Sequence, residues 1–376
     1  MLLFDLRKVY HRRLPEARVP DAKIDGALLK LFIGHNFFGA GNFGDDLMLE
    51  GFLGSLAKSG KQAEIFGCIP HDVESQRRRF PRIHWISAAD TQHREEQLRE
   101  ADVWLGLGDT PFQLASGPWM LDHLDGDRQL CRRLGKPMLF LGVGCESRDA
   151  VRDPRGRRII EAAERIWTRD LRSAEVIDEV AAPGVVAQGA DLAHIALRGA
   201  VKPVSEPGLL GLLLGMENPE TAALVAVQNA IARRSPAKTR WLIQETRSFP
   251  CTERWNYSGL SESARSSIDL MPMNYTVDTI DEFLRSFGAP ETVVSSRYHG
   301  ALIAAWHGCH LGVIARTEKL DGAAADLDVP YVRCIQEANE LEGLANRAAS
   351  VDQARLQVLS DRASGMCDAF FACFGA

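Results

Sequence analysis

The stretch ETVVSSRYHGALIAAWHG (291–308) decides the fold. Its first part is short and β-branched, the composition of a strand. Its second part is alanine-rich and closes on Gly308, a common stop for a helix. The strand therefore runs almost directly into its helix, as it does where neighbouring strands lie parallel and helices make the crossovers. Ser296, Arg297, Tyr298, His299 and Gly300 occupy the junction. Strand alternation places Arg297 and His299 on one face and Tyr298 on the other.

Working outward, the same unit recurs in both directions. LLKLFIGH (28–35), QAEIFGCI (62–69), RIHWIS (82–87), ADVWLGLG (101–108), PMLFLGVG (137–144), RIWTRD (165–170) and GVVAQGAD (184–191) carry the strand signal in the first half. LLGLLLGM (209–216), TRWLIQET (239–246), SIDLMPM (267–273), HLGVIAR (310–316) and VPYVRC (329–334) carry it in the second, before a long C-terminal helical region. Most of these runs are continuously apolar rather than alternating, which marks strands buried on both faces. Helical stretches such as GDDLMLEGFLGSLAKSG (44–60) lie between them. The segment LRGAVKPVSEPG (197–208), with two prolines and two glycines, interrupts the pattern and is the expected hinge. The fold expected is α/β, with two doubly wound Rossmann-like domains, residues 1–200 and 205–376, facing a cleft. Ligands in such sheets bind beyond the carboxyl ends of the strands.

Bulk properties bound the function. The 376 residues are 45% hydrophobic and 25% charged, with a formal charge of −6, which excludes a generally basic nucleic-acid binder. No apolar run approaches the roughly 18 residues of a membrane span. The first residues, MLLFDLRKVYHRRLPEARVP, lack the basic-then-apolar order of a secretory signal. Eight scattered cysteines with no CxxC pair fit thiols in a reducing compartment, so the cytoplasm is expected. The basic stretches RRRFPR (77–82) and SRDAVRDPRGRR (147–158) read first as solvated faces. Contact with a phosphorylated or lipid-linked acceptor, at the inner face of a membrane, is their secondary reading.

The unusual residues gather at strand ends. Arg297 offers a fork that grips a carboxylate or phosphate bidentately, and His299 can move a proton near neutral pH. The loop GHNFFGAGNFGDDLMLEGFL (34–53) has neither dinucleotide-type GxGxxG spacing nor the GK[ST] of a phosphate-binding P-loop. It supplies Asn42, Gly44 and Asp45 as substrate-binding candidates, with Asp45 or Asp46 expected to cap the following helix. GLGDTPFQ (106–113) adds Gly106 and Gly108, and GVGCES (142–147) adds Gly142 and Gly144. TRDLRSAEVI (168–177) presents Arg169 and Asp170, and GADLAHIAL (189–197) presents Asp191. Ser296 and Gly300 complete the set. Each piece alone fits a structural role equally well. His307-Gly308-Cys309-His310 straddles a helix end and a new strand, so its side chains diverge and no metal site is expected there.

Taken in order, NFGDD, a Gly-rich strand end, GVG, TRD, GADLA and RYHGALIAAWHG resemble the polysaccharide pyruvyl transferase family over roughly residues 30 to 316. That resemblance implies a fold like the two-domain glycosyltransferases of GT-B type, and the making of ketal-pyruvylated glycans. It puts the family's R-x-H element on Arg297 and His299 and its strand-end Arg-Asp on Arg169 and Asp170. The chain departs from the pattern in three places. Gly106-Leu107-Gly108-Asp109 stands where the family has consecutive glycines, Leu192 where Pro is usual, and Gly300 where Ala is common.

The implied donor is phosphoenolpyruvate, held by Arg297, Arg169 and helix N-termini. The implied acceptor is a sugar or lipid-linked saccharide. His299 is the expected general acid for the donor's methylene carbon. Asp170 or Asp191 would take a proton from the attacking hydroxyl or orient Arg169. The scheme asks for no metal and no organic cofactor. Two alternatives stand beside it: a glycosyltransferase using a nucleotide sugar, and a non-catalytic glycan-binding relative. What the C-terminal half binds separates the first. The second has no need of an acid beside two anion clamps.

Overall fold

Among the described residues, continuous apolar runs become parallel strands with a hydrophobic layer on each face. The computed structural model describes residues 28–375 except 35–37, 39–40, 71–72, 116, 216–220, 234–237, 248–249, 251 and 273–278. The first 27 residues, much of the loop 34–41, and the ends of 209–216 and 267–273 therefore lie outside the described residues.

The first sheet contains β1 (Leu29–Ile33), β2 (Ala63–Ile69), β3 (Ile83–Ser87), β4 (Val103–Leu107), β5 (Met138–Val143), β6 (Arg165–Thr168) and β7 (Val186–Gln188). Their order is β3-β2-β1-β4-β5-β6-β7, and every pairing is parallel. The second sheet contains β8 (Ser205–Leu213), β9 (Thr239–Trp241), β10 (Asp269–Leu270), β11 (Ala289–Ser295), β12 (His310–Ile314) and β13 (Tyr331–Val332) in the order β10-β9-β8-β11-β12-β13. A short antiparallel strand, β14 (Ala349–Ser350), adds to β12. Both orders reverse at the first strand of their sheet, which places a crevice at β1/β4 and at β8/β11.

Alternate residues of a strand enter different cores. Leu31, Ile33, Leu105 and Leu141 join one cluster, while Phe32, Trp104 and Phe140 join another on the opposite face. In the second sheet Leu213, Val293 and Val313 belong to that first cluster too, and Leu212, Val294 and Ile314 to a third. One core thus spans both sheets. Phe43 of helix Phe43–Ser59 stacks on Phe283 across it, with centroids 4.1 Å apart.

The expected hinge is shorter than its sequence. Helix Ala193–Gly199 runs into it and β8 begins at Ser205, which leaves 200–204 as the irregular link. The last helix, Gln353–Ala372, follows the second half in sequence but packs back on the first sheet. Its Phe370 meets Phe52 and Trp167 edge-on, both at 6.1 Å. No helix among the described residues is long and apolar enough to cross a membrane. The basic stretch 147–158 is laced with acids: Arg148 and Arg152 hold Glu179, Arg155 holds Asp153 and Asp122, and Arg158 holds Asp125.

Candidate active site

The loop before helix Phe43–Ser59 binds the two halves together. Asn42, not Asp45 or Asp46, caps the helix, its Oδ1 accepting from Gly44 N at 3.0 Å. The same oxygen accepts from Gln244 Nε2 at 2.8 Å. Backbone bonds run Phe43 N to Gln244 O and Thr246 N to Gly41 O. The first crossover loop is thereby pinned to the strand end that follows β9. Gly44 lies against the imidazole of His299, so close that a Cβ there would sit 2.2 Å from Nδ1.

Arg169 follows β6 and is 3% exposed. Its Nη2 donates to Thr110 Oγ1 at 2.9 Å, and its guanidinium stands 4.4 Å from the Tyr298 ring centre. Asp170 Oδ2 is 3.6 Å from Arg169 Nε, and Asp191 Oδ2 is 3.8 Å from Nη1. Asp191 Oδ2 also lies 3.5 Å from His299 Nε2. These last three approaches are within ion-pair range but outside hydrogen-bond geometry. Arg169 Nε, Asp191 Oδ2 and His299 Nε2 are all buried without a hydrogen-bond partner among the described residues. These polar atoms face one another, with Asp191 Oδ2 lying between Arg169 and His299.

Burial sets the charge states here. It lowers the imidazole of His299 (6% exposed) below its ordinary value, against the opposing pull of Asp191. Burial alone would raise Asp191, but His299 and Arg169 outweigh it and bring the carboxyl down to about 2. At neutral pH the pair is a neutral imidazole beside a carboxylate. Asp170 has a local task as N-cap of helix Leu171–Asp178, accepting from Ser173 N at 2.7 Å and from Ser173 Oγ at 3.0 Å.

Arg297 departs from the alternation expected of a strand, because β11 ends at Ser295 and Arg297 is the N-cap of helix Tyr298–His307. Ser295 Oγ closes the turn, donating to Arg297 O at 2.8 Å and accepting from Arg297 N at 3.1 Å. Tyr298 and His299 therefore both face Arg169 and Asp191. Arg297 turns to Glu253, with Nε 3.1 Å from Oε1 of that fully buried carboxylate. Glu253 Oε2 accepts from Glu245 N at 2.9 Å. The expectation that Arg297 and His299 share a face, with Tyr298 opposite, is corrected by this early helix start.

Other expected substrate contacts have structural duties. Ser296 Oγ donates to Gly215 O at 2.7 Å. Gly300 makes room for Leu213, whose Cδ2 would be 1.8 Å from an added Cβ. Gly106 packs on Phe140 in the same way, and Gly144 on the guanidinium of Arg169. Gly108 and Gly142 adopt left-handed φ of 62° and 70° against Met48 and Leu192. His307 Nδ1 is 2.6 Å from Gly288 O, and His310 is exposed at the start of β12. No group of three His, Cys, Asp or Glu among the described residues is arranged to hold a metal ion.

Thr110, Tyr298, Gln244, Glu245 and Glu253 were missed by the sequence reading. Thr110 lies inside GLGDTPFQ and Tyr298 inside the R-x-H element, whereas Gln244, Glu245 and Glu253 lie in no motif.

A family model for polysaccharide pyruvyl transferases matches residues 42–317. No curated protein matches the chain at a significant level. Among solved structures, a UDP-N-acetylglucosamine 2-epimerase assigned in Listeria monocytogenes is 13% identical, with a TM-score of 0.60, covering 92% of this chain and 96% of that one. The enzyme of the same name from Methanocaldococcus jannaschii is 11% identical with a TM-score of 0.59, covering 92% and 100%. At such identities the likeness shows the two-domain GT-B-like fold alone. The family match spans most of the chain, including the loop at Asn42, Arg169, Asp191 and the Arg297–His299 junction: the chain belongs to the polysaccharide pyruvyl transferase family.

Proposed function

We propose that the protein transfers the pyruvyl group of phosphoenolpyruvate to two hydroxyls of a sugar, forming a ketal and releasing phosphate. The observation that carries this reading is the buried cluster at the strand ends in which Asp191 Oδ2 lies between the Arg169 guanidinium and His299 Nε2. A buried guanidinium with an open donor suits a carboxylate or phosphate. Arg297, at the adjoining helix N-terminus, is the second clamp. His299, neutral and backed by Asp191, suits the base that takes a proton from an attacking hydroxyl, since the imidazolium formed stays beside a carboxylate. That assignment replaces the role of general acid expected from the sequence. Tyr298 holds Arg169 by a cation–π contact. No step of the scheme asks for a metal or organic cofactor.

The test is phosphate release from phosphoenolpyruvate across a panel of sugar, nucleotide-sugar and lipid-linked acceptors, with mass spectrometry of the products. Acceptor-dependent phosphate release with a pyruvyl mass gain is expected. No release with any acceptor, together with glycosyl transfer from a nucleoside diphosphate sugar, would sink the proposal.

A further inference from the structure

Ketal formation requires a proton at C3 of the donor, and His299, neutral beside Asp191, is poorly suited to give it. Asp45 is better placed. It lies in the first turn of helix Phe43–Ser59, next to the glycine against which His299 packs, and is 6% exposed. Four charged groups from four elements bear on it: Asp46 of its own helix, Asp109 after β4, Glu245 after β9, and Arg297 at the N-cap of helix Tyr298–His307. Two of the acids have cations of their own, Asp46 with Arg79 at 3.2 Å and Glu245 with Arg247 at 3.1 Å.

Asp109 differs. Its backbone is left-handed, with φ 62°, a conformation that disfavours a residue with a Cβ. Gly144 N donates to its carbonyl at 2.8 Å, and Thr110 N donates to its Oδ1 at 2.6 Å. Its Oδ2 is buried with no hydrogen-bond partner among the described residues. Strained backbone and an unsatisfied oxygen together mark a position held for function. Burial first, then the charge of Asp109, pushes the Asp45 carboxyl well above the usual carboxylate range. Arg297 and the helix N-terminus pull the other way and are outweighed. A bound anionic donor would strengthen the upward push.

We propose that Asp45 is the acid that protonates C3 of the donor, and that Asp109 is the positioning residue that keeps this proton in place. The proposal rests on the pyruvyl-transfer reading above. The Asp45 O–H bond breaks as the C2=C3 π pair forms the new C3–H bond, leaving C2 electron-poor. The first sugar hydroxyl bonds to C2 and gives its proton to His299. Phosphate leaves with that proton, and the second hydroxyl closes the ketal, its proton returning to Asp45. One proton ends on the methyl group and one on phosphate, so no further reactant is needed. The separation of acid from base by environment follows a general pattern of active sites.

The experiment compares wild type, Asp45→Asn and Asp109→Gly in acceptor-dependent phosphate release over a range of pH. Asp45→Asn should lose about 10²–10⁴-fold in turnover while donor affinity stays within a few-fold. Asp109→Gly, which also relieves the left-handed backbone, should move the alkaline limb of the profile down by about one pH unit. Infrared difference spectra of wild type against Asp45→Asn at neutral pH, without substrate, should show a protonated-carboxyl band. Turnover of Asp45→Asn within tenfold of wild type, an unmoved limb in Asp109→Gly, or absence of that band overturns the proposal. A wild type inert toward phosphoenolpyruvate with every acceptor would instead overturn the reaction itself, and with it this role.

Discussion

Gly44 and His299 touch across the cleft: a Cβ on the glycine would lie 2.2 Å from His299 Nδ1. The first half of the chain thus sets the position of the histidine carried by the second. A methyl group at 44 must displace either the ring or the loop. Gly44→Ala should therefore lower turnover by about 10²-fold, since misplacing a reacting group by about 1 Å costs that much. Secondary structure by circular dichroism should be retained. Full activity in Gly44→Ala would mean that His299 can move freely and is not positioned by this contact.

Arg297 meets the buried Glu253 through Nε at 3.1 Å. Lysine at 297 keeps the charge but loses the planar fork that can face a carboxylate on one side and a donor anion on the other. Donor affinity should fall roughly 10–100-fold, the range of one charge-assisted hydrogen bond. Calorimetric titration with phosphoenolpyruvate measures it. Unchanged affinity would remove Arg297 from the donor site.

The fold was legible because burial on both faces of a parallel sheet writes continuous apolar runs into the strands, as in LLKLFI and PMLFLGV. The motif residues Arg169, Asp191 and His299 were legible because strand ends are where such sheets bind ligands. Their partners were not. Gln244 reaches Asn42 from 202 residues away, and Glu253 reaches Arg297 from a helix with no motif of its own. Nothing local encodes either contact. Strand alternation fails at 297–299 because Ser295 closes a turn four residues before His299. The antiparallel β14, two residues long, is too short to leave a periodic signal.

A pH dependence of stability follows from His194, which joins the two halves. Trp306 Nε1 donates to its Nδ1 at 3.0 Å, so the bond needs an unprotonated imidazole. Burial pushes His194 down to about 4. The unfolded chain, with an imidazole near 6.5, binds the proton more readily, so stability rises with pH between these values. The contribution is complete above about 6.5 and is lost as pH falls through about 4, amounting to about 3 kcal/mol at most. His194→Gln, which can accept from Trp306 without titrating, should show a smaller fall in Tm between pH 7 and pH 4.5. His299, lowered in the same direction, leaves a residual slope. Identical slopes in both proteins would show that this histidine does not govern acid stability.

The last prediction concerns Gly300 and Leu213. Alanine is the better helix former by about 1 kcal/mol, and Gly300 lies inside helix Tyr298–His307, where glycine is a local cost. The reason for glycine is in the strand beneath: Leu213 of β8 is fully buried, and its Cδ2 would be 1.8 Å from an alanine Cβ. Overpacking of that kind costs about 1–3 kcal/mol, so it outweighs the helical gain. Gly300→Ala alone should therefore destabilise the protein in urea unfolding. Leu213→Val alone should cost about 1 kcal/mol through lost packing. Combined, the two should cost less than their sum, because the smaller strand residue vacates the space that the new methyl group needs. An interaction of about 1 kcal/mol or more in that direction is expected for residues in contact. The family's preference for alanine at this position would then depend on what the facing strand carries. A stabilising Gly300→Ala in the wild-type background, or strict additivity with Leu213→Val, would show that the helix shifts to relieve the contact and that Leu213 is not what holds glycine there.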